Sequence, residues 1–194
     1  TGYVLSPERG RDSYDALMAD LVAREILPTR VLHGWLATTR ESFRPGSSFS
    51  HRNLEQGFFS LLFLTQAMGD EGWSHPLHMT VLSTGAALVA DGDLLPYPEK
   101  ATLAGPARVI GREFSNITVT TLDLDLPQRT GKSRRAQVDL SSFVTPILEE
   151  VLATPVTVTA ALRGTKRFEM SFRAQPLAPI DAADSMLETG GVYL

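Results

Sequence analysis

Pro98–Glu99–Lys100–Ala101–Thr102–Leu103–Ala104–Gly105–Pro106–Ala107–Arg108–Val109–Ile110, followed by Ile117–Leu126, decides how this chain is read. Pro98 suits the first turn of a helix, where a missing N–H costs no hydrogen bond, and Glu99 suits the positive end of the helix dipole. The spacing predicts a helix from Pro98 to about Arg112, bent where Pro106 lies inside it. Ile117–Leu126, rich in Thr and Val, reads as a strand. Upstream, His78–Ser83 reads as another strand, ending in Ser83–Thr84–Gly85. The order is strand, serine, helix, strand, with Tyr97 and Lys100 near the helix start.

Outward from this stretch the same alternation continues. Tyr3–Ser6 is a short strand candidate. A helix capped by Asp12 or Ser13 is expected from Tyr14 to Glu25, and Arg30–Leu36 reads as a buried strand. Phe43–Ser50 is a Pro/Gly/Ser loop, and Asn53 is a candidate cap for a long helix to Met68. Leu54, Phe58, Leu61, Leu62 and Phe63 cover most of that helix, so it should be central. Ala86–Pro96 is irregular around the turn Asp91–Gly92–Asp93. Ser141 or Ser142 should cap a helix to Leu152, and Pro155–Leu162 with Lys166–Arg173 reads as a hairpin around Arg163–Gly164–Thr165. Pro176–Glu188 reads as a loop or linker. Strands alternating with helices predict an α/β fold with a mainly parallel sheet and helices on both faces, in a single domain over 1–194.

Composition narrows the function. The 194 residues are 43% hydrophobic and 21% charged, with a net charge of −4. That gives no basic footprint for nucleic acid or an anionic membrane. The absence of cysteine excludes disulfides, thiolate metal sites and thiol nucleophiles, and fits a cytoplasmic protein. No apolar run approaches the roughly 20 residues that span a bilayer. The N-terminus carries no initiator Met, and Gly190–Gly191–Val192–Tyr193–Leu194 stops on what reads as a new strand, so both ends suggest an excised piece.

Ser83, Tyr97 and Lys100 form the sharpest catalytic candidate. Reducing a carbonyl calls for a Tyr hydroxyl acidified by a nearby Lys, and a Ser to hold the carbonyl oxygen. Lys100 lies three residues from Tyr97, where one full turn of four is wanted, and Pro98 puts Tyr97 ahead of the helix. On geometry Tyr97 reads as a loop aromatic and Lys100 as a surface charge. A dinucleotide needs glycines at the first strand–helix turn. Ser6–Pro7–Glu8–Arg9–Gly10–Arg11–Asp12 has one glycine, and Ala37–Thr38–Thr39–Arg40–Glu41 has none. His75 and His78 lack local ligand partners. His51 with Ser48 and Ser50 reads as a loop stitched by hydrogen bonds. Asp91, Asp93 and Glu99 lack a calcium-loop pattern and read as a solvated turn. Lys132, Arg134 and Arg135 are a small basic patch on a loop.

Together these residues resemble the ketoreductase region of modular type I polyketide synthases, specifically its N-terminal structural subdomain. The resemblance rests on Val31–Leu32–His33–Gly34–Trp35, the run from Ser50 to Leu64, Ser83–Thr84–Gly85, the Pro98–Ile110 segment, Ile117–Leu126, Ala161–Leu162–Arg163–Gly164 and Arg167–Phe168. It implies a truncated Rossmann-like, three-layer fold of short-chain reductase type that packs against a following catalytic half. It implies no catalytic, cofactor-binding or metal residue here: Asn53, Ser83, Tyr97 and Lys100 would occupy regions descended from an active site without its geometry. NADPH would belong to the catalytic half, and phosphopantetheine to the acyl carrier protein of the parent multienzyme. The expected partners are that catalytic half and other synthase domains, with no nucleic acid and no membrane. A stand-alone divergent reductase using Ser83, Tyr97 and Lys100, or a free α/β binding module, are the competing expectations.

Overall fold

The computed structural model describes residues 2–39, 48–95, 97–127, 139–178, 188 and 190–193. Five strands, β1 (Arg30–Leu36), β2 (Leu77–Thr84), β3 (Ile117–Leu124), β4 (Thr159–Arg163) and β5 (Lys166–Glu169), form one sheet in sequence order. The first four are parallel and β5 returns antiparallel. The mainly parallel α/β fold expected from the sequence is therefore present. The β4–β5 hairpin turns at Gly164, whose φ of 57° is a left-handed conformation that glycine adopts without strain.

Helices lie on both faces. On one face α1 (Asp12–Ala23), α3 (Ser60–Asp70) and α4 (Ala104–Glu113) pack over Leu36, Leu77, Met79, Val81, Ile117 and Val119. On the other, Phe143 and Ile147 of α5 (Ser141–Leu152) cover Leu82, Leu122, Leu124, Ala160 and Leu162. β2 is buried along its whole length, because parallel strands are covered on both sides. Each fully buried aliphatic side chain stabilises the fold by roughly 1.5–3 kcal/mol. Within the first layer His33 is buried, its Nε2 2.6 Å from Ser60 Oγ, and burial pushes its pKa down to about 4.

The long central helix begins earlier than its sequence suggests. α2 (Phe49–Leu54) is capped by Ser48, whose Oγ accepts the N–H of His51 at 3.1 Å, so Asn53 sits inside the helix instead of capping it. A π-helical turn, Glu55–Phe59, then joins α2 to α3. Gly57 lies in that turn close against Leu36; a Cβ there would come within 2.6 Å of Leu36 Cδ1. Pro98 does open a helix, but a 3₁₀ one, Pro98–Leu103, which gives way to α4. Pro106 therefore falls in the first turn of α4, where its missing N–H breaks nothing, and the expected bend has no cause. Tyr3–Ser6 forms no strand; the chain there leads irregularly into a 3₁₀ turn, Pro7–Arg9. Helix α1 starts at Asp12, two residues before the expected start. Phe49 and Ser50, expected to end the Phe43–Ser50 loop, instead open α2, while residues 43–47 of that loop, the basic patch Lys132, Arg134 and Arg135, and most of Pro176–Glu188 lie outside the described residues. Among the described residues no helix is long and apolar enough to cross a membrane.

Candidate functional site

The residues singled out as a catalytic set gather at the carboxyl ends of β2 and β3, where α/β sheets commonly place ligands. A cleft of about 370 Å³ lies there, lined by Thr84, Gly85, Asp93, Tyr97, Lys100 and Arg163 among others. β2 delivers Thr84 to its rim, with Ser83 buried just behind it, and the 3₁₀ turn after Tyr97 delivers Lys100.

Their contacts differ from those of a reducing site. The Ser83 hydroxyl donates to Asp123 Oδ1 at 2.8 Å. Lys100, only 2% exposed, donates through Nζ to Thr38 Oγ1 at 2.8 Å and approaches Thr84 Oγ1 at 3.4 Å. The expected surface charge is thus a buried one. The Tyr97 ring packs against Phe49 with centroids 5.4 Å apart, and Lys100 Nζ lies 5.8 Å from its centroid. The Lys100 backbone N–H donates to the Tyr97 carbonyl at 3.1 Å, while the Ser83 hydroxyl turns to Asp123. Asn53 is buried and donates to Glu99 Oε1 at 3.1 Å.

The dominant electrostatic feature of the cleft is Arg163, at the end of β4. Its Nε donates to both carboxylate oxygens of Asp93, at 2.9 and 3.1 Å, and Nη2 donates to Asp123 Oδ2 at 2.8 Å. Its remaining N–H groups reach the carbonyls of Ala87, Asp123 and Leu162. Asp93 in turn accepts the N–H groups of Val89 and Ala90, and Asp123 accepts that of Ala86. Burial works to raise the Asp93 pKa, but these N–H donors and the Arg163 charge outweigh it, and the net shift is downward. The turn Asp91–Gly92–Asp93 is therefore clasped onto the sheet, and the reading of Asp93 as a solvated turn residue is corrected. Its partner, 70 residues away, is invisible to local spacing. The available signal was Asp123, a carboxylate within an otherwise buried strand.

The other candidates resolve into structural roles. His51 Nε2 lies 3.1 Å from Glu55 Oε1, one helical turn on, while Ser48 is occupied as the helix cap, so His51 and Ser48 do not act as a Ser–His pair. His78 is buried on β2 with Nδ1 2.9 Å from Thr118 Oγ1, and burial lowers its pKa. Among the described residues no group of acids and histidines is arranged to hold a metal ion. The cleft wall carries both signs of charge, with Lys100 and Arg163 beside its carboxylates. Asp91, Asp93 and Asp125 place carboxylates on its wall, and Gly85 and Gly92 do not form a phosphate-cradling turn at a helix N-terminus.

A family described as beta-ketoacyl synthase-like, N-terminal matches residues 1–137. No match is found among curated proteins. Among solved structures, the fold is similar to a multidomain structure containing the adenylation, ketoreductase and pseudo Asub regions of a keto acid-selecting NRPS module. The identity is 24% and the TM-score 0.64, over 84% of this chain and 12% of that one. It is similar also to an A-type ketoreductase of a modular polyketide synthase, at 25% identity and a TM-score of 0.55, over 87% of this chain and 32% of that one. A short-chain dehydrogenase from Mycobacterium avium shares the fold at 17% identity and a TM-score of 0.52, over 90% of this chain and 68% of that one. The chain thus spans about a third or less of the first two matched chains. These findings bear out the sequence resemblance to the polyketide synthase ketoreductase region and its Rossmann-like fold, and the chain belongs to the beta-ketoacyl synthase-like, N-terminal family.

Proposed function

We propose that this chain is the non-catalytic structural subdomain of a polyketide synthase ketoreductase, and that it acts by packing against an NADPH-dependent catalytic half in the same polypeptide. The observation that carries the reading is the internal use of the would-be catalytic groups. Ser83 is committed to Asp123, and Lys100 is buried against Thr38 and Thr84. A carbonyl substrate would have to displace both sets of contacts before a proton could be delivered from Tyr97.

A packing role also needs apolar surface, and the chain carries it. Val144, Leu148 and Leu152 recur every four residues along α5 and remain exposed, beside the partly buried Phe143 and Ile147 that face the sheet. On this reading the catalytic half reduces β-ketoacyl groups held on an acyl carrier protein, in the cytoplasm, and NADPH and phosphopantetheine belong to other parts of the multienzyme. Calorimetric titration of this chain with NADPH is the test. The reading predicts no binding heat; micromolar binding weakened by Tyr97→Phe and Lys100→Met would support a stand-alone reductase instead.

A further inference from the structure

Four buried side-chain atoms among the described residues have no hydrogen-bond partner: Tyr14 Oη, His33 Nδ1, Trp73 Nε1 and Thr80 Oγ1. Buried polar groups in folded proteins are nearly always paired, because an unpaired one keeps its full desolvation cost. The first three belong to side chains that line one cavity, and those side chains are only 1%, 7% and 6% exposed. Ser60, on the same lining, is the polar neighbour of two of them. Its Oγ sits 2.6 Å from His33 Nε2, and burial raises the Tyr14 pKa while Ser60 draws it back.

The cavity measures about 180 Å³ and lies where α1 packs on α3 beside β1, the edge strand of the sheet. It shares no residue with the cleft at the strand ends. Leu32, 49% exposed, and the partly exposed Leu5, Leu17 and Pro28 form its outer lining, so it opens toward solvent on that side. Among the described residues the lining carries no Asp, Glu, Lys or Arg, and burial keeps His33 neutral at pH 7. A charged ligand would therefore find no countercharge. One water molecule takes up about 30 Å³, which would leave most of this apolar space unfilled, whereas an apolar cavity of about 150 Å³ takes up benzene. The rings of Trp35 and Trp73 and the buried thioethers of Met18 and Met68 give walls that favour an aromatic guest.

The unpaired atoms specify the polar part of that guest. Trp73 Nε1 can only donate, so its partner must accept. His33 Nδ1 donates in one neutral tautomer and accepts in the other, according to whether Ser60 gives or takes the hydrogen bond at Nε2. A hydroxyl answers every case, because it both donates and accepts. We propose that this cavity is a binding site for a small neutral phenol, whose ring fills the apolar space and whose hydroxyl pairs with the polar atoms left open at His33 and Trp73.

The test is calorimetric titration of the intact polypeptide with phenol, with a fluorine label on the Trp73 indole to report occupancy by NMR. Saturable binding that moves the label is expected. Benzene, which has the ring without the hydroxyl, should bind about tenfold more weakly, the worth of one or two neutral hydrogen bonds. Benzoate should not bind at pH 7. Trp73→Phe keeps a ring but removes the N–H, and should narrow the difference between phenol and benzene to about threefold or less in the calorimeter. Leu17→Trp, on the outer lining, should fill the space and abolish binding. Phenol that leaves the label unmoved would overturn the proposal, since water alone would then serve the open polar atoms. Benzene or benzoate binding as tightly as phenol, or phenol affinity unchanged in either variant, would overturn it as well.

Discussion

Replacing Arg163 by leucine should unclasp the turn over the strand ends, and the structure sets the size of the loss. The Arg163 side chain is 9% exposed and those of Asp93 and Asp123 are 12% and 5%, so solvent screens the pairs little. Removing one partner of a buried ion pair costs about 3–5 kcal/mol, because the other charge is left uncompensated. Ser83 and Ala86 still donate to Asp123, and Val89 and Ala90 to Asp93, which argues for the lower end, about 3 kcal/mol. In a chain of this size that corresponds to a drop of about 6–12 °C in melting temperature. Arg163→Lys keeps the charge but not the fork that spans two carboxylates, and should fall between wild type and the leucine variant. Urea unfolding followed by circular dichroism gives the free energies, and hydrogen exchange should show Ala86, Val89 and Ala90 losing protection. Neutralising the orphan with Asp123→Asn in the leucine background should recover part of the loss, a non-additivity expected of contacting residues. An Arg163→Leu variant that loses less than about 1 kcal/mol, with those amides still protected, would refute the clasp.

The remaining predictions concern other parts of the fold. His33 is held neutral by burial, with a pKa of about 4 against 6.5, so its contribution to stability is complete above pH 6.5 and is lost as pH falls toward 4. The loss should be about 3 kcal/mol, and a His33→Leu variant should lack that slope in pH-dependent unfolding. Gly164→Ala places a side chain at φ 57° and should cost about 1 kcal/mol, with Gly164→Asn milder, measured by thermal melting. Ser48→Ala removes the cap of α2 and should cost about 1 kcal/mol by the same measurement. In the intact polypeptide, Tyr97→Phe should leave ketone reduction per folded molecule unchanged; a hundredfold loss in kcat would return Tyr97 to catalysis.

Much of the fold was legible because it is written in local pattern. Arg30–Leu36 and Ile117–Leu124 are strands within runs of branched and aromatic residues, and Gly164 marks the hairpin. Helix starts were harder. Asn53 looks like a cap because an apolar run follows it, but the helix already runs from Phe49, and the π-helical turn that carries it forward leaves no trace in a simple 3.6-residue period. Pro106 reads as an interior proline only if Pro98 opens the same helix; the change from 3₁₀ to α geometry at Ala104 puts it in a first turn. The candidate site was legible as a place, the carboxyl ends of β2 and β3, but not as a set of bonds. Lys100 carries no local sign of burial, since its depth is set by Thr38 and Thr84 arriving from other strand ends. Arg163 and Asp93 meet only after the sheet assembles.

The central claim is that this chain works as a packing partner. Its most direct measurement is the affinity between this chain and the catalytic half of its polypeptide, produced as two separate molecules and titrated in a calorimeter. The account predicts a stable one-to-one complex in which the catalytic half gains melting temperature and all NADPH binding resides in that half. Two halves that ignore each other, or a catalytic half equally stable alone, would contradict it.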